Sequence, residues 1–131
     1  MKVATRSLVG LPLDWAVGQL HTFSLVLVDG HTLYGPGIMG VWAPTTQVGQ
    51  GAEIIFREGI SVEPVFHQRP SDGALLLVRW RAKKVNGPFL VNHVEADGKT
   101  ALIAGLRCLV ASHYGDTIFV PEEILRVPLA A

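Results

Sequence analysis

The residues best suited to covalent chemistry lie near the C-terminal end of the chain: Cys108, His113 and Asp116. A thiol nucleophile must come within about 3 Å of its base to be activated. On a helix, positions 108 and 113 are separated by about 500° of rotation, so their side chains diverge. We therefore interpret Cys108 as a small buried apolar residue and His113 as a favourable partner of the helix dipole.

Cofactor and metal motifs are equally weak. The segment Gly35-Pro-Gly-Ile-Met-Gly40 matches the G-x-G-x-x-G pattern, but a dinucleotide loop must open directly into a helix, and Pro44 would interrupt that helix in its first turns. The five histidines have no metal-ligand spacing. We predict no cofactor, no metal and, since no nucleophile is paired with a base, no enzymatic activity.

One basic cluster could contact phosphate groups. On a strand, Arg79, Arg81 and Lys83 share one face, while Trp80 and Ala82 point to the other. Trp80 could therefore not stack a base beside these cations. Eleven basic and eleven acidic side chains cancel over the whole chain, which weakens the case for a nucleic-acid partner. Nucleic-acid binding by this face is the alternative hypothesis, and a solvated strand face is the simpler one.

A second candidate surface is the predicted loop segment from Trp42 to Gly51. It combines an aromatic ring, hydroxyls and amides, as recognition loops commonly do. Trp42 could equally anchor the segment to the core, since tryptophan serves both purposes. The partner-binding residues predicted here are Trp42, Thr45, Thr46, Gln47 and Gln50.

The elements that would position these residues follow from turn signals and apolar spacing. The N-terminal half is predicted to contain a helix over Leu13–Leu20, strands over Phe23–Val28 and His31–Tyr34, an extended loop over Gly35–Gly51, and strands over Glu53–Arg57 and Ser61–Phe66. Pro12 suits the start of the helix and leaves Asp14 near the positive end of its dipole. The Asp29-Gly30 pair is a strong hairpin signal, because both turn positions need positive φ.

The C-terminal half is predicted to contain a strand over Ala74–Ala82, a turn at Asn86-Gly87, a strand over Phe89–Val94, a helix over Ala101–Tyr114, a strand over Ile118–Val120 and a last helical turn from Pro121. Thr100 can cap the long helix and Gly115 can end it. Its apolar stripe for the sheet comprises Leu102, Ile103, Leu106, Leu109 and Val110. Local hairpins with helices near both ends predict one α+β domain over residues 1–131, with an antiparallel sheet.

Composition sets the remaining limits. A chain of 131 residues with 49% hydrophobic content can bury one core without metals or disulfides. The single cysteine, Cys108, cannot form an internal disulfide, and no apolar run approaches the roughly 20 residues that span a bilayer. We expect a soluble cytoplasmic protein. The mean hydropathy of +0.35 is high for a monomer of this length and suggests a homodimer.

Three blocks of the chain, in order, resemble the NinX-type phage proteins, a domain family of unknown function. They run from Leu8 to Val17, from Trp42 through Gly49-Gln-Gly51 to Gly59, and from Leu102 through Gly115-Asp116 to Glu123. Family members tend to carry an aromatic residue where this chain has Val48, and often a threonine where it has Val9. The resemblance implies a phage or prophage origin and an accessory role, and it supplies no established catalytic residues to carry over. The leading hypothesis is thus a non-enzymatic interaction module for a host or phage protein.

Overall fold

The computed structural model describes residues 1–21, 25–35, 40–86 and 92–126. Apart from one turn of 3₁₀ helix at Thr5–Ser7, the elements in chain order are β1 (Lys2–Ala4), α1 (Gly10–Leu20), β2 (Val26–Val28), β3 (Thr32–Gly35), β4 (Gly40–Val41), α2 (Val48–Arg57), β5 (Ser61–Gln68), β6 (Leu75–Asn86), β7 (Asn92–Gly98), α3 (Ala101–Tyr114), β8 (Thr117–Phe119) and α4 (Glu122–Leu125).

Every strand pair in these ranges is antiparallel. The strands form three small sheets, with the orders β1-β8, β2-β3-β4 and β5-β6-β7. Helix α3 packs across β6 and β7 and also contacts α1 and α2, so the main core lies around this helix. The predicted α+β class, with antiparallel sheets and a long C-terminal helix, is confirmed. No helix in the described ranges is both long and apolar enough to span a membrane.

Helix α3 has the predicted bounds because its ends are encoded locally. The Thr100 hydroxyl accepts a hydrogen bond from the Ile103 main-chain N–H at 3.1 Å, which satisfies one of the free donors of the first turn. Gly115 follows the helix with φ 79° and ψ −146°, a conformation open essentially to glycine alone. Leu106, Leu109 and Val110 of the predicted stripe are buried, and the rest of the stripe packs partly buried against the core.

Helix α1 begins earlier than predicted. It starts at Gly10, so Pro12 lies inside the first turn, where its missing N–H leaves no hydrogen bond unmade. Val9 occupies the N-cap position and makes no side-chain cap bond. The predicted start at Leu13 was therefore three residues late, because proline is tolerated throughout the first turn rather than only at its first residue.

The largest error of the sequence analysis concerns residues 48–57. A loop to Gly51 and a strand over Glu53–Arg57 were predicted, whereas the structure has the continuous helix α2. The β-branched Ile54-Ile55 pair favours a strand, but the two side chains lie at helical spacing from Gly51 and all three residues are buried. A Cβ at Gly51 would collide with the Pro44 carbonyl, so this glycine is a packing requirement and not a loop signal.

Replacement of two glycines of α2 by alanine is therefore expected to change the stability of the protein in opposite directions. Gly51→Ala should destabilise the protein by about 1–3 kcal/mol, because the added methyl group must displace the Pro44 backbone. Gly49→Ala in the same helix meets open space and should stabilise it by about 0.5–1 kcal/mol through helix propensity. Urea unfolding of both variants checks this. Equal effects at the two positions would contradict the close approach of α2 to Pro44.

The hairpin predictions fare better. Asp29 and Gly30 have φ 56° and φ 72°, and the His31 N–H closes the turn on the Val28 carbonyl. Strands β2 and β3 pair on either side of it. The strand predicted from Ser61 is confirmed, and the one predicted at Ala74–Ala82 extends to Asn86. It pairs with β7 as expected, and residues 87–91, which include Gly87 of the predicted turn, lie outside the described residues.

Candidate functional site

Trp42 is a core residue. Its side chain is 5% exposed and belongs to the main hydrophobic cluster. The indole Nε1–H donates a hydrogen bond of 2.7 Å to the main-chain carbonyl of Asp14, which joins the segment after β4 to helix α1. Of the two roles considered for this tryptophan, the structure shows the anchor. An incoming partner could reach its ring only after a rearrangement of the core.

Thr45 is also buried, and like Trp42 it is hydrogen-bonded to Asp14 of helix α1. Its main-chain N–H and its hydroxyl donate to the two carboxyl oxygens of Asp14, at 2.8 and 3.1 Å. Burial raises the pKa of Asp14 to about 7, although the two bonds from Thr45 act in the opposite direction. Asp14 therefore combines with Thr45 and Trp42 in a buried polar junction. The sequence predicts only that this aspartate lies near the positive end of the helix dipole. Its helical spacing to the buried Val17 and Gly18 is the signal for its burial.

The other members of the predicted partner-binding set differ in exposure. Gln50 accepts a hydrogen bond from the Ala43 N–H and donates one to the Val41 carbonyl, both at 2.9 Å, and so shapes the segment. Thr46 and Gln47 are exposed. Partner binding through this segment stays a prediction, and these last two side chains are the ones that a partner would meet first.

Within the described residues, the longest run of exposed apolar side chains lies elsewhere, at the free end of the β5–β6 hairpin. Strand β7 pairs with β6 only as far as Trp80, which faces Gly98, so the part of the hairpin beyond that point projects past the three-stranded sheet. We call residues 65–68 and 75–78 the apolar arm. Phe66 is 53% exposed, Leu75 67% and Leu77 51%, and Leu76 and Val78 are similarly exposed.

The arm carries apolar side chains on both faces because four consecutive residues of β6 are apolar, and a β-bulge sets the face that each of them occupies. Val65 pairs with Arg79 but Phe66 pairs with Leu77, so Val78 is an extra residue in β6. The bulge places Phe66 and Leu77 on the continuation of the face that Trp80 and neighbouring residues present to the core. Farther along the sheet helix α3 covers this face, but in the arm no described element does.

A basic groove lies on the sheet near the start of α3 and has a volume of about 530 Å³. Its lining carries five cationic and two acidic side chains from separate parts of the chain, and the remainder is small or backbone. The charged residues are Arg6, Arg79, Arg81, Lys99, Arg107, Glu95 and Asp97.

Two of the three predicted phosphate-contacting residues come together in this groove. Arg79 and Arg81 donate from their Nε–H groups to the two oxygens of Asp97, at 2.9 and 3.2 Å. Lys83 is not part of the lining, and its Nζ lies 3.6 Å from Glu95 and 3.8 Å from Glu63. Trp80 packs, partly buried, against the core as expected.

Three cations of the groove were not predicted, because they are distant from the basic strand in sequence: Arg6, Lys99 and Arg107. Arg6 donates from Nε to the Glu95 carbonyl at 2.9 Å and pairs with Asp116 at 2.8 Å. Arg107 donates to the Leu8 and Asp97 carbonyls at 2.6 and 2.7 Å, and burial lowers its pKa. Different elements supply Arg6, Lys99 and Arg107, so no sequence pattern links them to one another or to the basic strand.

Cys108 differs in burial from His113 and Asp116. Cys108 is fully buried, its Sγ–H donates to the Val94 carbonyl at 3.2 Å, and burial raises its pKa to about 11. His113 and Asp116 are exposed to solvent, whereas the thiol is buried. Within the described ranges, no three His, Cys, Asp or Glu side chains are grouped so that they could hold a metal ion.

Comparison with models of known protein families gives no match, and no curated protein is significantly similar to the chain.

Proposed function

We propose that this protein is a non-enzymatic interaction module and that the apolar arm is its contact surface. The observation that carries the proposal is the run Leu75–Val78, in which four consecutive apolar side chains are each about half exposed or more. Consecutive apolar residues are typical of strands buried on both faces. Large exposed apolar patches on soluble domains mark places where another molecule binds.

The edge of the arm supports the same proposal. Within the described residues, strand β6 has a neighbour on one side only from Leu75 to Arg79, because β7 stops opposite Trp80. An unpaired strand edge offers main-chain donors and acceptors to an added strand. The arm therefore presents apolar side chains for affinity and an open edge for register.

The occupant that fits best is a second copy of this chain. The patch formed by Phe66, Leu75 and Leu77 carries no charge, so it can face its own copy without burying like charges. A two-fold axis brings the same patch of both subunits together, which is the commonest form of homo-oligomer. The mean hydropathy of +0.35 agrees with a chain that hides apolar surface by association.

The test is the mass of the purified protein in solution. We expect wild-type protein to be a dimer at micromolar concentration in sedimentation equilibrium. The double substitution Leu75→Lys and Leu77→Lys should give a monomer, because two charges would be buried in each half of the contact. His67→Lys is the matched control: His67 is exposed and pairs with Leu76 across the hairpin, on the opposite face from Leu75 and Leu77, so its replacement should disturb dimerisation far less.

The possible results distinguish two questions: which molecule the arm binds, and whether the arm is a contact surface at all. A wild-type monomer that captures a stoichiometric host or phage protein only when Leu75 and Leu77 are intact would replace the second copy with that protein. A wild-type monomer with no arm-dependent partner would overturn the proposal. Thermal unfolding of the variants shows whether the substitutions leave the domain folded, as expected for exposed positions.

In its wider role, we propose a phage or prophage accessory protein that acts in the cytoplasm. The three blocks that resemble the NinX-type proteins support this role. The segment with the exposed residues Thr46 and Gln47 is proposed as a second surface for a host or phage protein.

A further inference from the structure

The basic groove concentrates charge in a chain that is neutral overall. Eleven cations and eleven anions cancel over the sequence, yet the groove lining has an excess of three positive charges. Four of its five cations are arginines, whose planar guanidinium groups match the geometry of phosphate oxygens. This concentration is a product of the fold, because the 3₁₀ turn, β6, the loop before α3 and α3 itself each contribute to it.

The geometry inside the groove leaves donors for an anion. Arg79 and Arg81 both direct their Nε–H groups at Asp97, and within the described residues their Nη groups make no hydrogen bond. Lys99 has neither an ion pair nor a side-chain hydrogen bond in the same part of the structure, and Arg107 binds backbone carbonyls rather than a carboxylate. The Asp97 carboxylate already shows where an oxyanion is held between two guanidinium groups.

The lining also restricts the kind of ligand. The described residues of the lining include no aromatic side chain, and Trp80 packs on the core side of the sheet. Proteins that hold single strands generally stack bases on aromatic rings, whereas contacts to a duplex are made chiefly with phosphates. We propose that the basic groove binds the phosphate backbone of double-stranded nucleic acid, independently of base sequence.

The experiment is fluorescence anisotropy with a labelled 20-base-pair DNA duplex at several salt concentrations. Each phosphate contacted contributes a slope of about −0.9 to log K against log salt. Three contacts would lower the affinity about 40-fold between 50 and 200 mM salt. Lys99→Gln and Arg81→Gln should each reduce the slope by about one unit. Lys83→Gln removes the same charge from the same strand outside the groove and should leave the slope unchanged.

Each other result has a definite meaning. Equal weakening by Lys83→Gln would assign binding to the whole strand face and overturn the groove. Binding of inorganic tripolyphosphate without binding of the duplex would identify a small polyphosphate ligand instead of nucleic acid. Binding of neither would overturn the site. The double arm variant should bind the duplex with an unchanged salt slope, so this inference and the proposed interaction module fail or survive separately.

Discussion

Replacement of Trp42 by alanine is expected to lower the free energy of unfolding by about 3–5 kcal/mol, as for other large buried aromatic residues. The loss combines the apolar area of the indole, the cavity left among core side chains, and the hydrogen bond to the Asp14 carbonyl. Urea unfolding monitored by circular dichroism measures it. A domain of this size has total stability of only about 5–15 kcal/mol, so the variant should be close to its folding threshold.

Two further variants show which part of the side chain matters. Trp42→Phe keeps an aromatic ring but cannot donate to Asp14, so it should cost less than the alanine variant. Trp15→Ala removes the same side chain from a partly buried site on helix α1 and should also cost less. A folded Trp42→Ala variant of wild-type stability that has lost a partner would contradict the core role and restore the interface hypothesis.

The second large effect is a decrease of stability with rising pH, caused by Asp14. Burial raises the pKa of this carboxyl from 3.8 to about 7 in the folded protein. Between these values the folded state keeps a proton that the unfolded state has released, so the free energy of unfolding falls as the pH rises. A shift of about three units corresponds to roughly 4 kcal/mol, lost between about pH 4 and pH 7.

The variant Asp14→Asn isolates this contribution. Asparagine can accept from the Thr45 N–H while its amide donates to the Thr45 hydroxyl, and it cannot ionise. It should match wild type near pH 4 and exceed its stability at pH 8 in urea unfolding. The pKa of Glu58 is lowered, chiefly by its hydrogen bond from Lys84, so its contribution to the free energy of unfolding increases with pH. Both proteins contain Glu58, so this contribution cancels when their pH profiles are compared.

Asp116→Asn provides the control for the pH measurement. This carboxylate is 90% exposed and pairs with Arg6 at the surface, so its loss should change stability little at any pH. Parallel pH profiles for wild type and Asp14→Asn would show that Asp14 is not a buried protonated carboxyl. Such a result would also contradict the burial of the Asp14 carboxyl in the junction between α1 and the segment after β4.

The successes and failures of the sequence analysis separate according to the range of the interactions. Helix α3 and the Asp29-Gly30 turn were predicted correctly because Thr100, Gly115 and the turn pair act on backbone groups only a few residues away. Helix α2 was missed because the β propensity of Ile54-Ile55 opposes its helical packing, and tertiary contacts outweighed the propensity.

The candidate sites required the folded structure for the same reason. Sequence spacing placed Arg79 and Arg81 on one face, and alternation along a strand suffices for that. The groove, however, depends on Arg6 and Arg107, whose contacts with Glu95 and Leu8 span 89 and 99 residues. The raised pKa of Asp14 depends on burial beneath Thr45 and Trp42, about 30 residues away in the chain.

Local chemistry in the sequence thus specified the α+β class, the ends of the long helix and the first hairpin, because caps and turns join near neighbours. The folded chain alone decided that Trp42 is an anchor, that burial raises the pKa of Asp14, that β7 ends short of the apolar arm and that five cations meet in one groove. Desolvation and clustered charge are properties of packed space, and they arise only when distant segments come together.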